Sequence, residues 1–173
     1  MSAYFDALCA AMSVIAEHPK SLFVGQAVAF DGTAMSKTLR HLPPEKLIEF
    51  PVAEDCQLGF CTGVALNDFL PVSIFPRWNF LLLAASQLVL HLDKLPLYSR
   101  YRPKVIIRTA VATEKPLYPG PQHLGDFTSA FRKMLRTVTC VELRRAEDIV
   151  PQYRQALTRE GSTLLVEYTE LYA

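Results

Sequence analysis

Glu54 stands at the junction between an apolar segment and a helical pattern, a place where a carboxylate could take part in ligand chemistry. Residues 47–50 are predicted to form a strand and residues 54–66 a helix. The carboxylate would then lie at the carboxyl end of a strand, where open α/β sheets bind their ligands. Alternatively, Glu54 only complements the positive end of the helix dipole, as acidic first-turn residues commonly do. The local pattern leaves both interpretations open.

An aromatic cluster and one histidine are the other candidates for a functional site. Phe75, Trp78 and Phe80 could stack on a flat heterocycle, although such aromatic residues are more often core. His123 follows the rigid turn 119–122 and could transfer a proton, although a lone loop histidine is usually just exposed. Neither feature decides the function by itself.

Several kinds of site are not indicated by the sequence. The four cysteines show neither the spacing of a zinc site nor that of a disulfide framework, and no histidine has a second ligand at metal spacing. No glycine-rich phosphate loop of the Walker or Rossmann kind is present. We therefore predict no metal ligands and no nucleotide-binding loop.

An alternation of strand and helix patterns predicts an α/β fold with a mostly parallel central sheet and helices on both faces. Helices are expected at residues 2–18, 54–66, 80–92, 127–135 and 146–158. Strands are expected at residues 22–24, 47–50, 71–75, 104–108, 138–142 and 163–167. His123 falls in a long loop from 110 to 125, and long ordered loops tend to carry function.

The bulk properties favour one ordinary globular domain over residues 1–173. A net charge of +1 and basic residues without interleaved aromatics give no reason to expect nucleic-acid binding. No run approaches the ~20 apolar residues of a membrane span, and no signal peptide is recognisable. Free thiols and the absence of an export signal predict a cytoplasmic protein.

Taken together, these motifs resemble the transketolase-type pyrimidine-binding domain of thiamine diphosphate enzymes. The likeness is greatest to the beta subunit of the 2-oxoacid dehydrogenase decarboxylase component. It is carried by residues 50–54, Gly59, Gly63, 70–72, Asn79-Phe80 and Gln122-His123. The resemblance covers essentially the whole chain and is weaker before Phe50. It implies the three-layer α/β fold of thiamine diphosphate-binding domains.

The resemblance also implies roles for individual residues. Glu54 matches the glutamate that hydrogen-bonds N1′ of the cofactor's aminopyrimidine and thereby promotes its imino tautomer. Phe80 matches the aromatic residue that packs on the pyrimidine ring, and Phe75 and Trp78 would complete the apolar wall. His123 matches an active-site histidine that positions substrate or transfers protons.

Two glycines and one glutamine complete the set of matched positions. Gly59 and Gly63 match helix positions that allow close packing in the core or against a partner subunit. Gln26 follows the first strand and belongs to the expected cofactor site. It departs from the family pattern, because the most similar beta subunits usually carry a carboxylate there.

The resemblance implies that the cofactor site is shared between subunits. The chain lacks the Gly-Asp-Gly and downstream Asn that hold Mg²⁺ and the diphosphate. An alpha-type partner subunit carrying that signature would therefore bind both, in an expected α₂β₂ assembly that includes a beta-subunit dimer. The second, C-terminal domain of such beta subunits is absent from this sequence, and we expect a naturally short subunit.

The expected activity is thiamine diphosphate-dependent decarboxylation of a 2-oxo acid with acyl or aldehyde transfer. Two alternatives stay open. The chain could be one subunit of a split transketolase that transfers a ketol unit. It could instead be a non-catalytic structural or regulatory subunit, although such a role requires neither Glu54, Phe80 nor His123.

Overall fold

A computed structural model describes residues 2–114 and 118–173 of the chain. Within them the central sheet has six strands, all parallel, in the order β2-β1-β3-β4-β6-β5. The strands are β1 Ser21–Gly25, β2 Leu47–Glu49, β3 Leu70–Ile74, β4 Ile106–Val111, β5 Thr139–Glu142 and β6 Thr163–Tyr168. The predicted parallel α/β sheet is thus confirmed.

Seven α-helices accompany the strands in the described residues. They are α1 Ala3–Ala16, α2 Ala34–Lys37, α3 Glu54–Ala65, α4 Trp78–Leu83, α5 Leu95–Tyr98, α6 Thr128–Met134 and α7 Ala146–Thr158. A π-helix spans Gln87–Leu92, and short 3₁₀ turns span Pro44–Lys46, Pro121–His123 and Thr169–Tyr172. The short elements α2 and α5 have too few residues to produce a clear helical period, so pattern reasoning missed them.

Helices cover both faces of the sheet, which makes three layers. The central strands β4 and β6 are buried throughout, and their residues alternate between two hydrophobic clusters. Ile106 and Leu165 pack with α1 and α7, whereas Ile107 and Leu164 pack with α3, α4, the π-helix and α6. The expected layer arrangement is confirmed.

The single helix predicted at residues 80–92 is wrong, because two helices of different type occupy this region. Helix α4 begins earlier, at Trp78, and ends at Leu83, since Ala84 leaves helical geometry with φ −99° and ψ 11°. The wider π-helical turn that follows closes with a hydrogen bond from the N–H of Asp93 to the carbonyl of Leu88. Hydrophobic periodicity does not distinguish such a turn from α-helix.

The sheet has a topological switch point between β1 and β3. From β1 the chain moves to β2 on one side, and α3 then carries it back to β3 on the other side. A crevice therefore opens where these connections diverge at the carboxyl ends of β1 and β3. Gly25 is required at this point, because a Cβ atom there would lie 2.6 Å from the carbonyl oxygen of Ile74.

Candidate functional site

Glu54 is the first residue of α3 and lies beside this crevice. Glu54 is only 4% exposed, whereas Asp55 in the same helical turn is exposed. An acidic residue that only complements the helix dipole can stay in water, as Asp55 does. Because burying a carboxylate is unfavourable unless it has partners, the burial of Glu54 calls for a further explanation.

Gln26 is the side chain that holds Glu54. Its Nε2 donates a hydrogen bond to Glu54 Oε1 at 3.1 Å, and this is the one side-chain hydrogen bond to Glu54 in the described part of the chain. The two residues come from opposite sides of the crevice, one after β1 and the other at the start of α3. Gln26 and Glu54 are therefore brought together, as expected for members of one site.

The loop that carries Gln26 is fixed by Glu49 at the end of β2. The Glu49 carboxylate accepts hydrogen bonds from the backbone N–H groups of Ala27, Val28 and Ala29, at 2.6, 2.9 and 3.0 Å. These bonds stabilise Ala27 in the left-handed region, with φ 52°, which is unfavourable for a residue with a Cβ. The position of Gln26 thus depends on an acid that sequence reasoning did not single out.

Gln57, one turn after Glu54, fastens α3 to the sheet. Its Nε2 lies 3.3 Å from the Val24 carbonyl, 3.0 Å from Ser73 Oγ and 3.1 Å from the Ile74 carbonyl. The residue is 1% exposed, so these bonds are protected from water. The start of α3, and with it Glu54, is therefore held against both strands that border the crevice.

Phe80 and His123 form a second pair. Their ring centroids are 5.8 Å apart and the rings are tilted by 34°. His123 ends the 3₁₀ turn Pro121–His123, which follows Gly120 at a positive φ of 94°. Both side chains are half-buried, and His123 Nδ1 is buried without a hydrogen-bond partner in the described part of the chain. Helix α4 contacts both α3 and this turn, so it links the two pairs.

Phe75 and Trp78 lie deeper than the sequence interpretation implied. Each is 1% exposed and belongs to the hydrophobic cluster beneath α3, α4 and α6. The Trp78 ring packs 4.9 Å from that of Phe131. Both residues support the segment that presents Phe80, and their contact with a ligand stays a prediction.

Among the described residues, the two glycines of α3 are not needed for close packing. A Cβ at Gly59 would lie at ordinary contact distance, 3.6 Å, from the Gln87 side chain, and one at Gly63 would meet no described atom within 4 Å. Close packing of Gly63 in the core is therefore wrong. Its contact with a partner subunit stays a prediction.

Sequence reasoning missed two further buried centres, each of which contains a carboxylate. Arg108 and Glu167 form a fully buried ion pair on the α1 and α7 side of the sheet. Burial alone would lower the pKa of Arg108, but the charge of Glu167 raises it well above its ordinary value. The sequence signal for this ion pair was one basic residue in strand β4 and one acidic residue in strand β6, both in mostly apolar strands.

Asp93 is the second of these centres. Its fully buried carboxylate accepts hydrogen bonds from Lys94 Nζ and from the backbone N–H groups of Arg136, Thr137 and Val138. Burial alone would raise its pKa, but these hydrogen bonds outweigh burial and hold the pKa below its ordinary value. Asp93 thereby joins the end of the π-helix to the start of β5.

No cluster of three or more His, Cys, Asp or Glu side chains that could hold a metal ion occurs among residues 2–114 and 118–173. Within the same residues, no helix has both the length and the apolar character needed to cross a membrane.

Comparison with known proteins identifies the fold. No protein-family model matches the sequence, and no curated protein matches it. Among solved structures, a split-gene transketolase in an inactive β₄ tetramer is similar, with a TM-score of 0.59 at 17% identity. The match covers 95% of this chain and 49% of that one, so this chain spans about half of that protein's length. The chain therefore has a transketolase-like three-layer fold.

Proposed function

We propose that this chain is the pyrimidine-binding subunit of a heteromeric thiamine diphosphate-dependent enzyme. The observation that carries the proposal is the buried carboxyl group of Glu54, held by one neutral donor at the switch-point crevice of a transketolase-like sheet. A carboxyl group in this position can donate a hydrogen bond to a ligand nitrogen or accept one from it. Gln26 is its one side-chain partner in the described part of the chain.

The donor set of the site fits an aminopyrimidine. Glu54 provides a hydrogen-bonding partner for the ring nitrogen N1′, and Phe80 provides an apolar ring surface beside it. His123 Nδ1, which has no partner in the described part of the chain, can bind a polar group of the substrate or move a proton. Bound thiamine diphosphate would supply a nucleophilic carbon that attacks the substrate carbonyl.

The residues of this chain would prepare and protect that chemistry. Glu54 would share a proton with N1′, and Gln26 would hold the carboxyl group through its hydrogen bond to Oε1. Phe80, supported from beneath by buried Phe75 and Trp78, would exclude water from one side of the heterocycle.

A second polypeptide would complete the cofactor site. The chain has no Gly-Asp-Gly signature for Mg²⁺ and diphosphate, so we assign both to an alpha-type partner in an α₂β₂ assembly. The inactivity of the similar split-gene transketolase as a β₄ tetramer supports dependence on another kind of subunit. Exposed apolar residues on the layer of α3, α4 and the π-helix, namely Phe60, Leu83 and Leu90, offer surface for such contacts.

For the reaction, we propose decarboxylation of a 2-oxo acid with transfer of the remaining acyl or aldehyde unit. Transfer of a ketol unit by a split transketolase is a second candidate, supported by the identity of the similar structure. Both reactions use the same residues of this chain, because they differ in the substrate and not in the activation at N1′. A non-catalytic subunit of the same fold would not need the carboxyl group of Glu54.

The proposal can be tested with the native complex. The tagged chain is purified from its own cells with bound partners, which are identified by mass spectrometry and then co-expressed. Turnover of 2-oxo acids and ketose phosphates is measured with thiamine diphosphate and Mg²⁺, for the natural chain and for Glu54→Gln. We expect Glu54→Gln to lower kcat by about 10²- to 10⁴-fold, the range of general acid–base catalysis.

Asp55→Asn is the matched control, because Asp55 lies in the same helical turn but is exposed. It should leave kcat within about twofold, as expected for a surface substitution. Equal activity of the natural and Glu54→Gln complexes would refute the catalytic role. Activity of the isolated chain would refute the shared site.

A further inference from the structure

Glu49, the last residue of β2, is exposed, yet the chain itself uses both oxygens of its carboxylate. Oε1 accepts a hydrogen bond from the N–H of Ala27, and Oε2 accepts one each from the N–H groups of Val28 and Ala29. Successive backbone N–H groups that converge in this way form a nest, which binds an anion. The side chain of Glu49 is therefore the built-in anion of this loop.

The loop needs this anion because Ala27 has a left-handed backbone conformation, with φ 52°. That conformation brings Cβ close to a backbone carbonyl and is unfavourable for alanine. The charge-assisted hydrogen bonds to Glu49 offset this strain. Glutamine at position 49 would present one acceptor oxygen instead of two, together with an NH₂ group that repels a backbone N–H. A neutral amide therefore cannot replace the carboxylate.

Gln26 lies between this strained residue and a point that the sheet holds. Gly25 pairs with Glu49 in the parallel register of β1 and β2, and its carbonyl accepts a hydrogen bond of 2.9 Å from the N–H of Phe50. From there the Nε2 of Gln26 reaches Glu54 Oε1 at 3.1 Å. Because the sheet holds one side of Gln26 and Glu49 holds the other, the direction of its side chain depends on both.

We propose that Glu49 is a positioning residue of the Glu54 site and acts through Ala27 and Gln26. Its carboxylate serves the loop and not the ligand, since both oxygens already accept hydrogen bonds from the loop. An exposed acid at the end of β2 then controls the orientation of a buried one at the start of α3. The effect of Glu49 on catalysis rests on the proposed function, whereas its control over Gln26 does not.

The control over Gln26 is measured on the full chain without a partner. NMR follows the side-chain amide signals of Gln26 in the natural chain and in Glu49→Gln. The hydrogen bond to Glu54 should shift the natural signals away from those of a free glutamine, and Glu49→Gln should move them back toward the free values. Hydrogen exchange of the backbone amides of residues 27–29 should become about tenfold faster in Glu49→Gln, because their acceptor is weakened.

Ala27→Gly provides a rescue that a purely structural defect would not show. Glycine adopts the left-handed conformation without strain, so the loop of Glu49→Gln/Ala27→Gly should keep its conformation with fewer hydrogen bonds. Its Gln26 signals should return most of the way to the natural positions. Glu45→Gln is the matched control, since Glu45 is exposed and lies in the 3₁₀ turn directly before β2. It should leave the Gln26 signals unchanged.

Two results of the NMR experiment would overturn the proposal. One is that the Gln26 signals of Glu49→Gln equal those of the natural chain. The other is that Ala27→Gly fails to restore signals that Glu49→Gln has moved, because the effect would then not pass through Ala27.

Kinetics of the reconstituted complex tests the step from Gln26 to Glu54. Glu49→Gln and Gln26→Met should each lower kcat about fivefold with KM nearly unchanged, and Ala27→Gly should restore most of the loss in Glu49→Gln. Because both residues act along one series of contacts, the double variant should lose no more than either single variant. Losses that multiply to about 25-fold would show that Glu49 acts by another route and would overturn the proposal.

The two experiments separate this inference from the proposed function. An active, Glu54-dependent complex with equal kcat for the natural chain and Glu49→Gln would overturn only the positioning role. A complex that is inactive, or whose activity does not depend on Glu54, would overturn only the proposed function if the Gln26 signals still respond to Glu49→Gln and to Ala27→Gly.

Discussion

Two buried carboxyl groups of this chain, Glu167 and Glu54, have very different surroundings. Glu167 is fully buried and accepts hydrogen bonds from Arg108 Nε and Nη2, at 2.7 and 3.0 Å, and from the hydroxyls of Tyr153 and Tyr172. Glu54 is nearly as buried, at 4% exposure, and has one side-chain partner, Gln26, in the described part of the chain. The difference indicates different tasks for two identical side chains.

The partners of Glu167 leave it no capacity for a ligand. Burial, together with the negative charge of Glu167, raises the pKa of Tyr172 well above its ordinary value, so its phenol remains a hydrogen-bond donor. Arg108 stays charged because the negative charge of Glu167 outweighs burial and raises the pKa of Arg108 well above its ordinary value. A carboxylate satisfied in this way stabilises the fold, whereas one with a single neutral side-chain donor at a crevice keeps acceptor capacity for a ligand, as the proposed function requires.

The largest expected effect on stability comes from breaking the satisfied centre. Glu167→Ala leaves Arg108 buried without its counter-charge, and we expect the free energy of unfolding to fall by about 3–5 kcal/mol. Urea unfolding followed by circular dichroism measures this change.

Replacement of both partners sharpens this expectation. Arg108→Met with Glu167→Leu removes both charges, so the double variant should be more stable than Glu167→Ala alone. A loss below about 1 kcal/mol for Glu167→Ala would show that the pair is not the structural centre described above.

A smaller and pH-dependent effect is expected at Asp93. Asp93→Asn should lower the free energy of unfolding by about 2–3 kcal/mol at neutral pH, because buried backbone donors lose a charged acceptor. The pKa of Asp93 is below its ordinary value of 3.8 in the folded chain. Its contribution is therefore complete above that pH and is lost as pH falls further through the folded value.

The measurement is urea unfolding of both proteins at several values between neutral pH and pH 3. The difference between natural chain and Asp93→Asn should shrink only in the acid part of this range. If the difference in free energy of unfolding stayed constant down to the lowest pH, the pH-dependent contribution assigned to Asp93 would be contradicted.

The smallest expected effect concerns Gln26, which supports Glu54. Gln26→Met removes the donor without changing the side-chain length, and we expect kcat of the complex to fall about fivefold, equivalent to roughly 1 kcal/mol. Stability and KM should change little, since Gln26 is half-buried and its proposed task is to position Glu54.

Gln26→Glu is the informative companion, because it retains the shape and places a second carboxyl group against Glu54. If either Gln26 variant lowered the free energy of unfolding by as much as it raised the activation free energy, Gln26 would have a structural role instead. Unchanged kcat in Gln26→Met would separate Gln26 from the site.

Much of the fold could be predicted because the buried strands and amphipathic helices have distinct sequence patterns. The position of Glu54 at the end of a strand also followed from its place between the two patterns. The resemblance placed Gln26 in the same site, but its hydrogen bond to Glu54 could not be predicted, since the reach of Gln26 depends on backbone held by Glu49 in a strained turn. Local sequence patterns do not reveal such a contact.

The Arg108–Glu167 pair illustrates the same limit for long-range contacts. The two residues are 59 positions apart and meet because β4 and β6 are neighbours in the sheet. Periodicity assigns each residue to a strand, but strand order decides which strands touch. The depth of Trp78 likewise depends on the packing of α6, which supplies Phe131.

The central claim is that the Glu54 carboxyl group contacts N1′ of bound thiamine diphosphate. It is tested most directly by ¹⁵N NMR of the reconstituted complex with cofactor labelled at N1′, for the natural chain and for Glu54→Gln at equal occupancy. We expect the N1′ resonance of the natural complex to show a hydrogen-bonded or protonated nitrogen and to move toward the free cofactor value in Glu54→Gln. An identical N1′ resonance in the two complexes would contradict the assignment.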